Sequence, residues 1–483
     1  MKRAICILLT LCILFISGCT QNANESSISS TSAEVSEETS VNVSEESTTS
    51  NDTTTSNDTA TSKDTTTSKD TATSKDTTTS KDTTTSKAPE TKPEAKPAND
   101  IAKVYIEIDT SISRDEYRDC KITFVDISGK IFSDAESEIK VRGNSTSNGA
   151  KKPYNFKLSK KSDAFGIGTG KKWCLLANCF EKTLIRNKMV FDFAKEATKL
   201  SYTPDSMFVD VYVNGKLNGN YILCEAVEAG SERVDIDVEN NEFLLERDIR
   251  EEEEGVTYII SPIYSIRYAI NEPEEPTQDQ IDWLTDFITK AELALKTEKI
   301  EQISNYFDIE SMIDFYIVLE YFKQVDVAVS STRLYIKDGK IHGGPVWDYD
   351  LTMGNCSSQY QYYHEYNNIQ GSGKSSEGIF CDVDWFSQLN QCEEFVIMRN
   401  QRFLQLQSSI TALYSGENSY IKTITEKYKA SFARNYNEAG WDISYAYSEY
   451  ERKPNKSYQA NLNYLLTWLE ERNNWLLNAW NLK

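Results

Sequence analysis

The stretch "GGPVWDYDLTMGN", residues 343–355, carries two aspartates, Asp348 and Asp350, that flank a tyrosine behind a Pro-Val-Trp run. Carboxylates this close in sequence repel each other unless a positive charge lies between them. The stretch is therefore typical of an ordinary strand end, of a phosphatase nucleophile, or of one half of a metal–nucleotide site. Each alternative requires a different fold around it, so the surrounding sequence decides between them.

The flanking residues favour an α+β fold. Just before the stretch, "TRLYIKDGKIHGGPVW" (332–347) is typical of a short hairpin, and from Ala102 to Leu158 apolar and polar residues alternate as in strands. "SMFVDVYVNGKLNGNYILCEAVE" (206–228) predicts two strands joined by an Asn-Gly turn. After Asn271 the apolar residues follow helical spacing. Strands first and helices later are the pattern of an α+β domain.

Helices are predicted from apolar spacing and from capping residues. One lies within "LIRNKMVFDFAKEATKL" (184–200), and another begins at Thr277, which can form a capping box with Gln280. "ESMIDFYIVLEYFKQV" (310–325) predicts a helix that leads into Asp326. Helices return from Asp384 to the end, and the last one carries an apolar stripe made of Leu462, Leu465, Leu469, Leu476 and Ala479.

The first residues have the composition of an export signal. "MKRAICILLTLCILFISGC" (1–19) has two basic residues, an apolar run and a Ser-Gly-Cys ending, which is the pattern of a signal peptide. The ending resembles the bacterial lipobox, which implies lipidation of Cys19; an ordinary secretory signal is the alternative. No later run reaches the ~20 apolar residues that crossing a bilayer requires. We therefore expect a protein that is lipid-anchored at the extracytoplasmic face of the cell membrane.

Residues 20–99 are rich in Ser, Thr, Asp, Glu and Lys, and six tandem hexamers of the type Lys-Asp-Thr-Thr-Thr-Ser run from Asn51 to Ser86. Such a segment cannot bury enough apolar surface to offset the entropy of ordering it, so we predict a disordered spacer. Its hydroxyl groups are candidates for glycosylation or phosphorylation. The globular part is then residues 100–483.

Composition excludes several classes of function. The formal net charge of −22 argues against nucleic acid or an anionic membrane surface as partner. Only two histidines, His342 and His364, are present, and neither has metal-ligand spacing. Seven cysteines remain after the signal, an odd and scattered set that predicts isolated buried thiols, although one or two disulfides stay possible in an exported protein.

A basic island stands out in this acidic chain. Against the single acid Asp163, it contains Lys140, Arg142, Lys151, Lys152, Lys157, Lys160, Lys161, Lys171 and Lys172. The loop Gly143–Gly149 inside the island could offer backbone N–H groups to phosphate oxygens. The alternative is a solvated charged surface.

Three aspartates follow downstream of the island. Asp326 ends an apolar helix, and Asp348 and Asp350 come about twenty residues later, beyond the hairpin. Phosphoryl transfer from ATP needs cations around the phosphates, a carboxylate that orients the hydroxyl nucleophile, and carboxylates that hold Mg²⁺. The order of basic loop, aspartate, hairpin and second aspartate is that of protein kinases. The alternative is that these acids cap strands and helices.

The stretch "DYDLT" (348–352) also fits Asp-x-Asp-x-Thr, the nucleophile motif of haloacid-dehalogenase-type phosphatases. That chemistry needs the motif at the end of an early apolar strand in a parallel sheet. Here the motif follows a Gly-Pro-broken segment late in the chain, and helices rather than alternating strands and helices come after it. We therefore disfavour a phosphatase.

Four stretches together resemble the spore coat protein H (CotH) kinase family: "IKVRGNSTSNGAKKPYNFKL" (139–158), "KKWCLLANCFEKTLIRNKMVFDFAKE" (171–196), "FVDVYVNGKLNGNYILCEAVE" (208–228) and "VWDYDLTMG" (346–354). The resemblance implies a two-lobed, atypical protein-kinase-like fold, with a β-rich N-lobe over about 100–270 and a helical C-lobe over about 271–483. It also implies a Ser/Thr kinase that uses ATP with Mg²⁺ or Mn²⁺ and acts on surface or secreted proteins.

The resemblance also implies roles for individual residues. Arg142, Gly143, Asn144 and Ser145 would contact the phosphates, with Lys152 or Lys157 as the strand lysine. Glu225 to Val227 would face the adenine.

In the same reading Asp326 would orient the substrate hydroxyl, Asp348 would bind the metal, and Asp350 would be a second ligand. Ser331 stands five residues after Asp326, where the kinase pattern has a metal-binding Asn. A serine hydroxyl is a poorer ligand, so the competing hypothesis is a catalytically weak or inactive CotH-like surface binding or adhesion module. The spacer is itself a candidate substrate of an active kinase.

Overall fold

The computed structural model describes residues 100–250, 252–253, 255–357 and 372–482. The predicted signal peptide, Cys19 and the predicted spacer lie outside the described residues. His364 lies outside them as well.

The first part of the described chain is a closed barrel of seven strands, in the order β1-β2-β3-β4-β5-β7-β6. Apolar side chains such as Val104, Ile122 and Phe156 alternate along the strands and fill the interior. The predicted Asn-Gly turn joins β6 to β7 and has positive φ at Asn214 and Gly215. The strands are β1 Lys103–Glu107, β2 Arg118–Val125, β3 Ile131–Val141, β4 Tyr154–Asp163, β5 Thr169–Leu176, β6 Ser206–Val213 and β7 Lys216–Glu225.

A parallel pairing of β1 with β6 closes the barrel. In this pairing Lys103 lies opposite Asp210, and Ile106 lies opposite Val213. Arg434, which lies far along the chain, forms ion pairs beside this junction of β1 and β6. The Arg434 guanidinium donates to the Asp210 carboxylate at 2.9 Å and to the Asp100 carboxylate at 2.9 and 3.0 Å. The barrel therefore depends on residues contributed by the C-terminal part of the chain.

A second sheet has five strands in the order β12-β11-β8-β10-β9. It takes strands from both sides of residue 270, because β11 pairs with β8, with Leu334 opposite Leu245. The predicted hairpin before the Asp-Tyr-Asp stretch is present as β11 and β12. The strands are β8 Phe243–Arg247, β9 Thr257–Ile260, β10 Arg267–Glu272, β11 Arg333–Lys337 and β12 Lys340–Gly343.

The second half of the chain is mostly helical, so the predicted α+β class is confirmed. Thr277 and Gln280 form the predicted capping box. No helix in the described ranges is long and apolar enough to span a bilayer. The helices are α1 Arg186–Ala197, α2 Gln278–Leu295, α3 Ile300–Ile303, α4 Ile309–Phe322, α5 Asp384–Leu389, α6 Glu393–Gln405, α7 Gln407–Tyr414, α8 Tyr420–Lys427, α9 Lys429–Asn437 and α10 Tyr458–Ala479.

Two details depart from the predicted helical pattern. In α10 the side chains of Leu465, Leu469 and Leu476 are fully buried, but Ala479 is exposed. Residues 438–457 are irregular rather than helical, and Gly440, with φ +81°, lies just beyond Glu438 and Ala439, which follow the end of α9. A Gly in the left-handed conformation is a common way to end a helix.

All seven cysteines of the described residues are free and buried thiols, as predicted, but Cys174 and Cys224 are not isolated because they lie opposite each other on β5 and β7.

Lys151 joins the barrel to α9. Its ammonium donates to the carbonyls of Ala177 (2.8 Å) and Asn220 and to Asn435 Oδ1 (2.9 Å), and it lies 4.4 Å from the centroid of the Tyr221 ring. Three oxygen acceptors match the three protons of the charged form. Burial opposes that charge and lowers the pKa of Lys151 to about 7.

We expect Lys151→Met to lower the free energy of unfolding by about 3 kcal/mol at pH 7, because it leaves three buried oxygens without a donor. The unfolded chain holds the Lys151 proton up to a pKa of about 10.4. Between pH 7 and 10 the unfolded state therefore binds more protons, and the wild type gains stability relative to the variant as pH rises. Urea denaturation at pH 7 and 9.5 measures both effects.

The matched control is Lys152→Met, because Lys152 is half-buried and donates a single hydrogen bond, to the Ser147 carbonyl. Equal losses in the two variants, or a wild-type advantage that shrinks with pH, would contradict this account of Lys151.

Candidate active site

A cavity of about 720 Å³ lies where the barrel meets the second sheet and the helical part. The structure brings to it eight of the residues singled out in the sequence: Arg142, Gly143, Asn144, Ser145, Asp326, Ser331, Asp348 and Asp350. The irregular segment 438–457, which the sequence pattern did not predict, contributes residues 447–450 to the wall.

The loop between β3 and β4 forms one wall of the cavity. Gly143 has φ +86°, and a Cβ at this position would lie 2.1 Å from Thr146 Oγ1, so only glycine fits. A single 3₁₀ turn at Thr146–Asn148 follows, and Lys152 Nζ donates to the Ser147 carbonyl at 2.6 Å. Lys152 therefore supports the loop from behind and does not line the cavity.

The two aspartate segments form the opposite wall. Asp326 follows α4, which ends at Lys323 in the left-handed conformation, and its carbonyl accepts from Val329 and Ser330 N–H in a tight turn. Asp348 has φ +64° and lies 3.3 Å from Ser331 Oγ through its Oδ2 atom. Non-glycine residues with positive φ are uncommon and are often found at functional sites.

Gln324 connects these segments and is fully buried. Its Nε2 donates to the carbonyls of Trp347 and Asp348, both at 2.8 Å, and its Oε1 accepts from Asp326 N–H at 3.0 Å. One neutral side chain thus fixes the backbone of both aspartates. Sequence reasoning missed Gln324, which stands beside Lys323 between Phe322 and Val325 and carries no spacing signature.

Two asparagines fix the rest of the Asp-Tyr-Asp stretch. Asn187 Oδ1, on α1, accepts from Tyr349 N–H at 2.6 Å. Asn355 Nδ2 donates to the carbonyls of Asp350 and Phe180 at 2.7 and 2.8 Å. Neutral amides therefore hold the backbone, which leaves the carboxylates available.

The electrostatics oppose full ionisation of the three aspartates. Burial is the first cause that raises the pKa of each, and the raised pKa of Asp326 and Asp350 also reflects the charge of Asp348. Arg250 acts in the opposite direction on the pKa of Asp326, and Arg142 and Arg333 do so on that of Asp348. Cations around the cavity thus offset part of the repulsion.

The arginines surround an aromatic ring. Arg142 Cζ and Arg333 Cζ lie 5.1 and 5.0 Å from the centroid of the Trp347 ring. Arg333 Nη2 also pairs with Glu246 Oε2 at 2.9 Å. Its Nη1 is buried and has no hydrogen-bond partner among the described residues, and the same is true of Arg250 Nη1. Unpartnered guanidinium donors beside a cavity suit an anionic ligand.

Sequence reasoning missed Arg250 and Arg333 and favoured two lysines. Lys157 lies on the outer face of β4, 4.2 Å from the centroid of the Tyr117 ring, and lines a second cavity of about 930 Å³. Neither Lys152 nor Lys157 reaches the cavity that holds the aspartates.

The predicted adenine-facing residues also lie elsewhere. The Glu225 carboxylate forms a buried ion pair with Arg233 and accepts from Tyr202 Oη (3.1 Å) and Asp205 N–H (3.0 Å). Val227 is half-buried and packs against a small apolar cluster that includes Val234. Neither residue lines the cavity with Asp326.

The carboxylate oxygens of the three aspartates are of the kind that Mg²⁺, a hard divalent cation, prefers. Across the described ranges, no group of three or more His, Cys, Asp or Glu side chains is arranged to hold a metal ion. Mg²⁺ at phosphate sites commonly uses one or two carboxylates together with substrate phosphates and water. Asp348, with Ser331 beside it, is the best-placed ligand.

Comparison with known families agrees with this kinase-like arrangement of loop, aspartates and cations. Residues 139–476 match the family described as CotH kinase protein. This span is well over half of the chain, so the protein belongs to the CotH kinase protein family. None of the curated proteins matches the chain.

We expect Asp350→Asn to stabilise the metal-free protein by roughly 1–2 kcal/mol at pH 7, because it removes the cost of keeping this carboxyl protonated, or charged, in a buried place beside two other aspartates. A raised carboxyl pKa means that the folded state keeps a proton that the unfolded chain loses above about pH 4. Wild-type stability therefore falls as pH rises above 4, and the variant should fall less. Urea denaturation in EDTA measures this difference.

Asp109→Asn is the control, since Asp109 is exposed on a loop of the barrel. A destabilised Asp350→Asn protein with an unchanged control would show that the Asp350 charge is compensated in the fold.

Proposed function

We propose that this protein is an ATP-dependent Ser/Thr protein kinase of the CotH type with a two-lobed, kinase-like layout. One observation carries the proposal: the loop 142–149, Arg250, Arg333 and three aspartates line a single cavity. Phosphoryl transfer requires cations, a hydroxyl-orienting carboxylate and a metal-binding carboxylate in one place. Family membership supports the same conclusion.

The arginines are the proposed phosphate ligands. Arg250 and Arg333 each have a buried Nη1 donor without a partner among the described residues. Arg142 lies at the cavity beside Trp347, at the start of the loop. A guanidinium can bind phosphate through two parallel hydrogen bonds, which a lysine cannot do. This assignment replaces the lysine proposed from the sequence.

Asp326 is the proposed group that accepts or orients the substrate hydroxyl. Burial and the neighbouring Asp348 charge raise its pKa well above that of an ordinary aspartate, so the carboxylate is better suited to take a proton. Asp348 and Asp350 would hold Mg²⁺ or Mn²⁺, with Ser331 close to the first of them. When bound, the metal supplies charge neutralisation at the phosphates.

The location and the substrates are proposed from the sequence. An export signal with a lipidated Cys19 would place the kinase at the extracytoplasmic face of the membrane, with the lipid as its only membrane contact. Its targets would be surface or secreted proteins with Ser or Thr acceptors, and its own Thr/Ser-rich spacer is a candidate. The net charge of −22 disfavours nucleic acid.

A second candidate function is a surface binding or adhesion module of the same family that has lost the chemistry. The observation behind it is Ser331, which contacts Asp348 at 3.3 Å where a kinase presents a metal-binding amide oxygen. The two candidates differ in whether the aspartates matter for transfer of phosphate.

We expect Mg-ATP or Mn-ATP to raise the melting temperature of residues 100–483. Ligand at a hundred times its Kd adds about 2.7 kcal/mol to the free energy of unfolding. Arg250→Met and Arg333→Met should each reduce this shift, because they remove phosphate donors. Lys157→Met should not, since Lys157 lines the second cavity. An unchanged wild-type melting temperature at saturating nucleotide would contradict nucleotide binding.

We expect the full mature chain to label itself from γ-labelled ATP with Mg²⁺ or Mn²⁺. Asp326→Ala should lower the initial rate of labelling by at least ~10²-fold, the contribution typical of general acid–base catalysis, and Asp348→Ala should lower it because a proposed metal ligand is lost. A generic protein acceptor and a chain that lacks residues 20–99 should be run beside them.

Label that survives in both aspartate variants would contradict the assigned roles. A wild type that binds ATP but labels neither itself nor the acceptor would favour the binding module. Self-labelling that is lost when residues 20–99 are removed, while the generic acceptor is still labelled, would identify the spacer as the acceptor.

A further inference from the structure

Cys174 and Cys224 face each other on neighbouring strands of the barrel. They are directly opposite in the antiparallel pairing of β5 with β7. Opposed residues in such a ladder have Cα atoms about 4.5–5.5 Å apart, which lies within the range of about 4.4–6.8 Å that a disulfide requires. Both side chains are on the outer face of the barrel, because their neighbours Trp173 and Leu175 fill the interior.

The two thiols are also in contact. The Cys174 and Cys224 thiols share a hydrogen bond, which shifts the pKa of both. Cys174 Sγ also lies 3.2 Å from Asn155 Oδ1. Cys174 keeps 5% of its surface exposed, whereas Cys224 is fully buried. A small oxidant could therefore reach Cys174 first, with Cys224 behind it.

A lowered pKa distinguishes Cys174 from the other described thiols. The pKa of Cys174 is lowered to about 7, first by the hydrogen bond from Cys224 and then by the positive charges of Arg142 and Arg333. Burial raises the pKa of every other described cysteine: Cys120, Cys179, Cys224, Cys356, Cys381 and Cys392. Thiolate character and a nearby second cysteine are the features of redox-sensitive thiols.

We propose that Cys174 and Cys224 form a peroxide-sensitive dithiol, in which Cys174 is oxidised first and Cys224 then closes a cross-strand disulfide. The Cys174 thiolate attacks one oxygen of hydrogen peroxide, which yields a sulfenic acid and releases hydroxide. The Cys224 thiol then attacks the sulfenic sulfur, which forms the S–S bond and releases water. Hydrogen peroxide is the two-electron oxidant. The two thiols supply these electrons and are oxidised to one disulfide.

The test is peptide mapping of the folded, full-length chain after treatment with hydrogen peroxide. We expect a linked Cys174–Cys224 peptide, about 2 Da lighter than the two reduced peptides together, before any other described cysteine is oxidised. In Cys224→Ser, oxidation should stop at a sulfenic acid on Cys174 that dimedone captures. In Cys174→Ser, dimedone should capture nothing at Cys224.

Cys120→Ser is the matched control, because Cys120 is a buried barrel cysteine with a raised pKa, and it should leave the linked peptide unchanged. The proposal is overturned if Cys174 and Cys224 stay reduced while other cysteines oxidise, or if dimedone labels Cys224 first. Should Cys224→Ser fail to fold, the wild type alone decides, because the absence of a linked peptide after peroxide contradicts the proposal. None of these readouts depends on kinase activity.

Discussion

The hydrogen bonds of Gln324 hold together the two segments on which the candidate site depends. The side chain donates to the carbonyls of Trp347 and Asp348 and accepts from Asp326 N–H. An amide suits this task because it donates and accepts without carrying a charge. A charged residue in the same buried place would alter the pKa values of the aspartates that it positions. The neutral Gln324 amide thus holds the backbone of both segments without adding a charge beside the carboxylates.

The helix that precedes Gln324 and Asp326, α4, is itself held by a buried ionic contact. Arg472, on α10, pairs with the Glu320 carboxylate and also donates to the Glu320 carbonyl at 2.8 Å. The same carboxylate accepts from the N–H groups of Phe380 and Cys381. Such a pair is costly to break because either partner alone would be an uncompensated buried charge. The C-terminal helix therefore fixes the position of Asp326.

Much of the fold and part of the site could be predicted from the sequence. Alternation and helical spacing predicted the α+β class, the hairpins and the helix before Asp326. The order of a Gly-containing loop and two aspartates predicted the loop 142–149, Asp326 and Asp348, which line one cavity. These features depend on local pattern or on chain order, and both can be read without three-dimensional information.

Two of the cations, Arg250 and Arg333, and the supporting amides could not be predicted in the same way. Successive side chains of a strand point to opposite faces, and nothing local shows that the face of Lys157 leads to a different cavity. Arg250 and Arg333 reach the cavity only because β11 pairs with β8, a contact between distant parts of the chain. Gln324 carries no spacing signature, and residues 438–457 lack the periodicity that would place them at the site.

The seam of the barrel has a consequence for the order of folding. The parallel pairing of Lys103–Glu107 with Ser206–Val213 spans more than a hundred residues of chain, and Arg434 seals it from much farther along. Contacts so distant in sequence form slowly, because a long loop must close before they contribute any stability. A ribosome that has released only the first half of the chain has released all seven barrel strands, but the junction of β1 with β6 still lacks the contacts of Arg434. These contacts to Asp210 and Asp100 form only after α9 has been synthesised, so the last ion pairs of the barrel are made late.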